Sequence, residues 1–302
     1  MPRRVRRSID ALLVCVAAAI LTAAQDPAAA LSEARALLDA GKPGAAIEKL
    51  QPVVPKMAEG SAERREAAQV LGLSHYLAGH IKEAIPYLEE VRATTADTKV
   101  AYALAMAYAQ TRQADKARES IARTFQLPAD SAGAYLLTGQ MMNRLELEDL
   151  AEAALTQAVA KDPRLPEAHF LLGQLAVFRS RLDEGMALMR AELALNPAHA
   201  MALYWIGDIY SRQAKWTEAI AALQQSIWIN PYFSGPYILL GKAFSKTNQP
   251  AAAEDMLRHA IQYDPNNKTA HYLLAQILQQ AGRVEEARKE FEIAARLQGD
   301  IK

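Results

Sequence analysis

The stretch AMALYWIGDIYSRQAKWTEAIAALQQSIWINPYF, Ala200 to Phe233, sets the register of this chain. It reads as two amphipathic helices joined by a turn and closed by Asn230-Pro231. Pro231 has counterparts at Pro163, Pro197 and Pro265, each 34 residues from the next and each preceded by Asp or Asn: Asp162, Asn196, Asn230 and Asp264. A fixed period of this length marks a repeat array.

Working outward, the stretch places apolar Leu203, Ile206 and Tyr210 at its fourth, seventh and eleventh positions, and Ala219, Leu223 and Ser226 at its twentieth, twenty-fourth and twenty-seventh. Each set falls on one helical face. Gly207, at the eighth position, and Ala219 are small enough to let two helices approach closely. The residue before a proline is biased out of the helical region, so each Asx-Pro stops the second helix of its unit. Gly41, Gly79, Asn248 and Gly282 fall between the two helices, where a left-handed backbone at a helix C-terminus is expected.

The same pattern predicts units near 98–131, 132–165, 166–199, 200–233, 234–267 and 268–301. Two less regular ones lie near 27–60 and 65–97, with extra residues around 59–64. Departures are Gly185 at a twentieth position, Ser226 at a twenty-seventh, and Pro128 displaced by one. No unit can bury both of its faces alone, so neighbours must stack.

These residues resemble the tetratricopeptide repeat family: Leu203, Ile206-Gly207, Tyr210, Ala219, Leu223, Ser226 and Pro231 follow its pattern, over about residues 27–298. The resemblance implies an all-α fold, an α-solenoid of antiparallel helix pairs in a right-handed superhelix of about eight repeats. It also implies that the first helices line a concave groove holding a peptide from a partner. On that basis the fifth positions, among them Tyr102, Phe170, Tyr204 and Tyr272, form an aromatic stripe together with Met106 and Phe178. Positions nine and thirteen add Asp208, Arg212, Lys242 and Lys246, of which Arg212, Lys242 and Lys246 make a basic patch suited to a carboxylate or an acidic segment. The Asn residues of the family's C-terminal carboxylate clamp are missing at the ninth positions.

The first 24 residues differ from the rest. Arg3, Arg4, Arg6 and Arg7 precede the apolar run Ala11 to Ala24, and Thr22 and Ala24 suit a cleavage site before Gln25. This is the layout of a secretory signal, with an uncleaved membrane anchor as the alternative. The expectation is an exported protein, periplasmic or secreted, with residues 25–302 forming the solenoid. Cleavage removes Cys15, the only cysteine, and leaves 30 basic against 33 acidic residues. That balance points to neither nucleic acid nor an anionic membrane surface as partner.

No phosphate loop, Ser/His/Asp set or paired-carboxylate motif is present, and the six histidines (His75, His80, His169, His199, His259 and His271) form no metal-spaced pair. No catalytic residue, metal or cofactor is therefore expected. The reading is a non-enzymatic, exported interaction scaffold that binds a protein or peptide. The alternative is an accessory, substrate-presenting subunit of an envelope enzyme or transport complex. Oligomeric state is not legible.

Overall fold

The computed structural model describes residues 26–95 and 97–299; the expected leader lies outside them. The described residues are all-α, sixteen helices in eight pairs. They fall into two compact units, residues 1–129 and 130–302. No helix among the described residues is long and apolar enough to cross a membrane.

The first unit contains α1 (Pro27–Asp39), α2 (Pro43–Leu50), α3 (Ala62–Leu77), α4 (Ile81–Val91), α5 (Thr98–Gln110) and α6 (Ala114–Thr124). α1 packs on α2, α3 on α4 and α5 on α6, while the first helices α1, α3 and α5 also touch in succession. The second unit contains α7 (Ala132–Arg144), α8 (Glu148–Lys161), α9 (Ala168–Phe178), α10 (Leu182–Leu195), α11 (Ala200–Arg212), α12 (Trp216–Ile229), α13 (Ser234–Lys246), α14 (Pro250–Tyr263), α15 (Lys268–Gln280) and α16 (Val284–Gly299). There α9, α11, α13 and α15 touch in succession, and each second helix packs on the first helix that follows. Each unit is thus a stretch of α-solenoid, with its core between helix pairs.

The close approach inside a pair is set by small residues. A Cβ at Gly207 would lie 2.5 Å from Leu223 Cγ, and one at Gly241 2.6 Å from Leu257 Cγ. Gly139 against Leu155 and Gly72 against Leu88 repeat the arrangement. Gly185 has the same cause seen from the other helix. Its partner wall carries Val177, whose Cγ2 would stand 2.7 Å from an added Cβ.

The turn inside each pair uses one left-handed residue. Gly41, Gly79, Arg112, Glu146, Ser180, Ala214, Asn248 and Gly282 all have φ between 57° and 80°. The hydrogen bonds are those of a Schellman cap. Lys215 N–H reaches the Tyr210 carbonyl at 2.9 Å, and Arg283 N–H reaches that of Leu278 at 2.9 Å. Because the bonding pattern satisfies the last carbonyls of the first helix, it holds even non-glycine residues in this conformation.

The fourth position of a unit ties a first helix to the proline turn before it. Tyr237 Oη donates to the Pro231 carbonyl at 3.0 Å, and the Nε2 atoms of His169 and His271 face the carbonyls of Pro163 and Pro265 at 2.9 and 3.0 Å. His271 Nδ1 also bonds Glu290 of α16 at 2.6 Å. These two histidines therefore serve the packing of turns and helices.

The irregular start has a local reason. Gln51-Pro52 ends α2 after eight residues, and the 3-10 turn Val54–Lys56 follows. Val53, Val54 and Met57 join the core around Leu31, Leu50 and Leu71. The additional piece of core thus lies within residues 53–57, while the residues expected to be extra, around 59–64, are exposed or half-buried and run into the start of α3.

His75 of α3 is buried with no hydrogen-bond partner on either ring nitrogen among the described residues, and its ring stacks on Tyr87 at 5.6 Å. Burial, then the charge of His80, lowers its pKa below 6.5, opposed by Glu83. Folding therefore favours the neutral ring, and the unfolded chain binds the proton more readily. The stability due to the neutral ring is complete above about pH 6.5 and declines as pH falls through that value towards the lowered folded pKa. Urea denaturation at about pH 7.5 and about pH 5.5 is expected to show a larger loss for the native protein than for His75→Phe. Equal losses would rule this assignment out.

Candidate partner-binding site

In the first unit, the first-helix faces of α1, α3 and α5 enclose an open groove of about 570 Å³. Its apolar wall is Leu38 from α1, Val70, Leu73, Tyr76 and Leu77 from α3, and Tyr102 from α5; Arg35, Asp39, Asp97 and Lys99 line it as well. Helical spacing explains the wall: Val70, Leu73 and Leu77 are three and four residues apart and share one face. Leu77 is 61% exposed and Tyr102 46%, so large apolar surface is presented to solvent in a concave setting. Burial, and next the neighbouring Tyr102, raises the pKa of the Tyr76 hydroxyl, which keeps it a neutral donor.

Of the four charged groups that line the groove, Arg35 and Asp97 are already committed. Arg35 pairs with Glu66 at 2.7 Å. Asp97 caps α5 by accepting from Lys99 N–H at 2.8 Å and receives the Gln69 amide at 2.8 Å. The groove is thus a set apolar surface with a partly engaged polar margin.

In the second unit, α13 and α15 flank a pocket of about 490 Å³. Lys242, Ser245 and Lys246 come from α13; Leu273, Gln276, Ile277, Gln279 and Gln280 come from α15; Gly241 and Leu257 complete the lining. No carboxylate lines it. The Lys242 ammonium lies 6.0 Å from the centre of the Trp216 ring.

The residues expected from sequence differ in exposure from one repeat to the next. Tyr102 lies in the first-unit groove, and Met106, one turn along α5, is half-buried outside its lining. Phe178 is 61% exposed and meets Trp205 edge-on at 5.2 Å; Tyr272 is 47% exposed and meets Phe291 at 5.6 Å. Tyr204 is half-buried between Trp205 and Phe233, with ring centres 5.4 and 5.1 Å away. Phe170 corrects the expectation of a contact residue. It is buried in the core of the second unit, 4.5 Å from the His199 ring, because the following turn covers it.

The basic patch also needs revision. Arg212 is held by Asp208 through a 2.8 Å bond one helical turn away, so this pair is locally neutral. Lys242 and Lys246 alone line the α13–α15 pocket. Leu38, Leu73, Tyr76 and Leu77 stand at the twelfth, ninth, twelfth and thirteenth positions of the 27–60 and 65–97 units, so repeat position was the signal that could have found them. Trp228 and Tyr232 are 86% and 78% exposed and line neither cavity.

One trio carries ligand-type atoms. Glu167, Glu192 and His199 bring a carboxylate oxygen each and a ring nitrogen within 4.8 Å of one another. The hydrogen bonds assign the trio another task. The fully buried Glu192 carboxylate accepts from Glu167 N–H at 3.3 Å and Phe170 N–H at 3.4 Å, capping α9. His199 Nδ1 accepts from Ala202 N–H at 3.2 Å, capping α11, which leaves Nε2–H to donate to Glu167 at 3.3 Å. A cation at Nε2 would need that proton removed while Nδ1 already acts as an acceptor, whereas a ligating histidine normally donates from its second nitrogen. The trio is a pair of linked helix caps.

Stacked helix pairs with concave first-helix faces define a helical-repeat protein. Tetratricopeptide repeat family profiles match residues 142–195 and 170–232, and residues 245–300. Over these residues the chain is built of tetratricopeptide repeats. It is similar to the solved structure of MamA 41-end from Desulfovibrio magneticus RS-1, with 20% identity over 57% of this chain and 98% of that one, at a TM-score of 0.52. It is also similar to a chain of the APC/C hetero-tetramer Cut9-Hcn1, with 19% identity over 81% of this chain and 48% of that one, at a TM-score of 0.50. At these identities the likeness is one of fold. No curated protein matches the sequence.

Proposed function

We propose that the chain is a non-enzymatic interaction scaffold whose first-helix faces hold a protein or peptide partner, and that it works after export. The observation that carries this reading is the first-unit groove, where Leu77 and Tyr102 offer apolar surface between three successive first helices. Large side chains left exposed in a concavity are suited to anchoring side chains of a partner. Export is supported by the basic and apolar composition of residues 1–24.

The combined variant Leu77→Ser and Tyr102→Ala tests it. Both side chains are exposed, so far-ultraviolet circular dichroism should stay native. Cross-linking in cells followed by identification of the captured protein should show at least a tenfold loss of capture, about what removal of two interface anchors gives. Undiminished capture by the folded variant would refute the groove assignment.

A further inference from the structure

We propose that the α13–α15 pocket binds an extended acidic segment of a partner, with carboxylates at alternate positions set against Lys242 and Lys246. This deepens the scaffold reading and rests on its assignment of first-helix faces as binding surfaces.

Lys242 and Lys246 line a concave site of about 490 Å³ that contains no acidic residue, and neither lysine forms an ion pair among the described residues. Three other cations of the second unit are neutralised within the chain: Arg212 by Asp208, Lys161 by Asp130, and Arg283 by Glu254 and Glu286. Two ammonium groups left without a counter-charge in one pocket are complementary to carboxylates brought from outside.

Spacing defines the form of the ligand. Residues four apart on a helix are about 6 Å apart along its axis. Alternate residues of an extended chain are about 6.6 Å apart on the same side. Two glutamates at i and i+2 therefore match Lys242 and Lys246, while the residue between them points to the opposite wall. That wall is α15, which contributes Leu273 and Ile277, so an aliphatic residue fits there. Gln276 and Gln280, also one turn apart, supply amides that can serve the peptide backbone of the ligand. The chemistry is that of an acidic residue, an aliphatic residue and a second acidic residue, read in an extended conformation. Because the two carboxylates are internal, a chain terminus is not required.

The test is fluorescence anisotropy with the full chain and a labelled, N-acetylated and C-amidated Glu-Leu-Glu-Leu-Glu peptide. Saturable binding is expected, weakening as salt is raised, with about a tenfold or greater loss for Lys242→Gln with Lys246→Gln. The Gln-Leu-Gln-Leu-Gln analogue should bind at least as poorly as that. The combined Leu77 and Tyr102 variant should bind the acidic peptide as the native protein does, which separates failure here from failure of the first-unit groove. The proposal is overturned by no saturable binding, by equal affinity in the lysine variant, or by binding only of a free-acid peptide, which would point to a terminal carboxylate instead.

Discussion

Gly207→Leu is expected to destabilise the second unit by about 3 kcal/mol, the upper part of the usual cost of overpacking a core. Even a single added carbon at this position would stand 2.5 Å from Leu223 Cγ, and the side chain of Leu223 is fully buried against Ala219 and Leu240. The larger side chain must push α11 away from α12 or force Leu223 off its rotamer. Gly207→Ala should cost much less, because the gain in helix propensity, about 1 kcal/mol, offsets part of the clash. Ala275 fills the same repeat position in α15 and is buried without difficulty. Since repeats interact with nearest neighbours, the loss should spread to α10 and α13 rather than stay within one pair. Urea denaturation followed by circular dichroism measures it, and an unchanged midpoint for the leucine variant would show that the helices are not held at contact distance.

Glu192→Ala is expected to cost about 2 kcal/mol, the sum expected for a lost cap and a buried N–H left unpaired. Glu167 enters α9 with φ 71° and offers no side-chain cap of its own. The buried carboxylate of Glu192 supplies it from α10 instead, through the N–H groups of Glu167 and Phe170. Glu192→Gln keeps one oxygen acceptor but sets an amide NH2 against the other N–H, so it should recover only part of the loss. The second readout is local: amide exchange at both Glu167 and Phe170 should accelerate in the alanine variant, and at only one of them in the glutamine one. If alanine and glutamine behave alike, the capping role is wrong and the carboxylate is held for another reason.

The elements that follow from period and steric size were legible before the structure. Asx-Pro stops, small residues at helix contacts and the helical faces of Leu203, Ile206 and Leu223 are local chemistry repeated 34 residues apart. The left-handed turn could be read at Gly41, Gly79, Asn248 and Gly282, whose side chains tolerate it. It could not be read at Arg112, Glu146, Ser180 or Ala214, where hydrogen bonds of the cap impose it. Ser226 and Glu192 show the same limit. Both sit at twenty-seventh positions, and each bonds to the start of the partner helix: Ser226 Oγ to the Ala200 carbonyl at 2.8 Å, Glu192 to the α9 amides. A polar residue at a core position is visible in sequence, but the amide or carbonyl that satisfies it is not.

The candidate site was legible in kind and less so in detail. Tyr102, Lys242 and Lys246 line concave surfaces, while Phe170 is covered by the His199 turn and Arg212 is occupied by Asp208. Facing inward is a property of repeat position; remaining accessible depends on neighbours in three dimensions. Leu77 illustrates the converse. At the thirteenth position of the 65–97 unit it faces inward like Arg212 and Lys246, and its neighbours leave it among the most exposed large apolar side chains of the first unit.

The central claim is that partners are held on first-helix faces. Amide hydrogen exchange of the full chain, alone and with the protein identified by cross-linking, tests it most directly. The account predicts new protection on α1, α3 and α5 around Leu38, Leu73, Leu77 and Tyr102, with α2, α4 and α6 unchanged. Protection confined to the second helices α2, α4 and α6, with the first-helix amides exchanging as in the free protein, would contradict it.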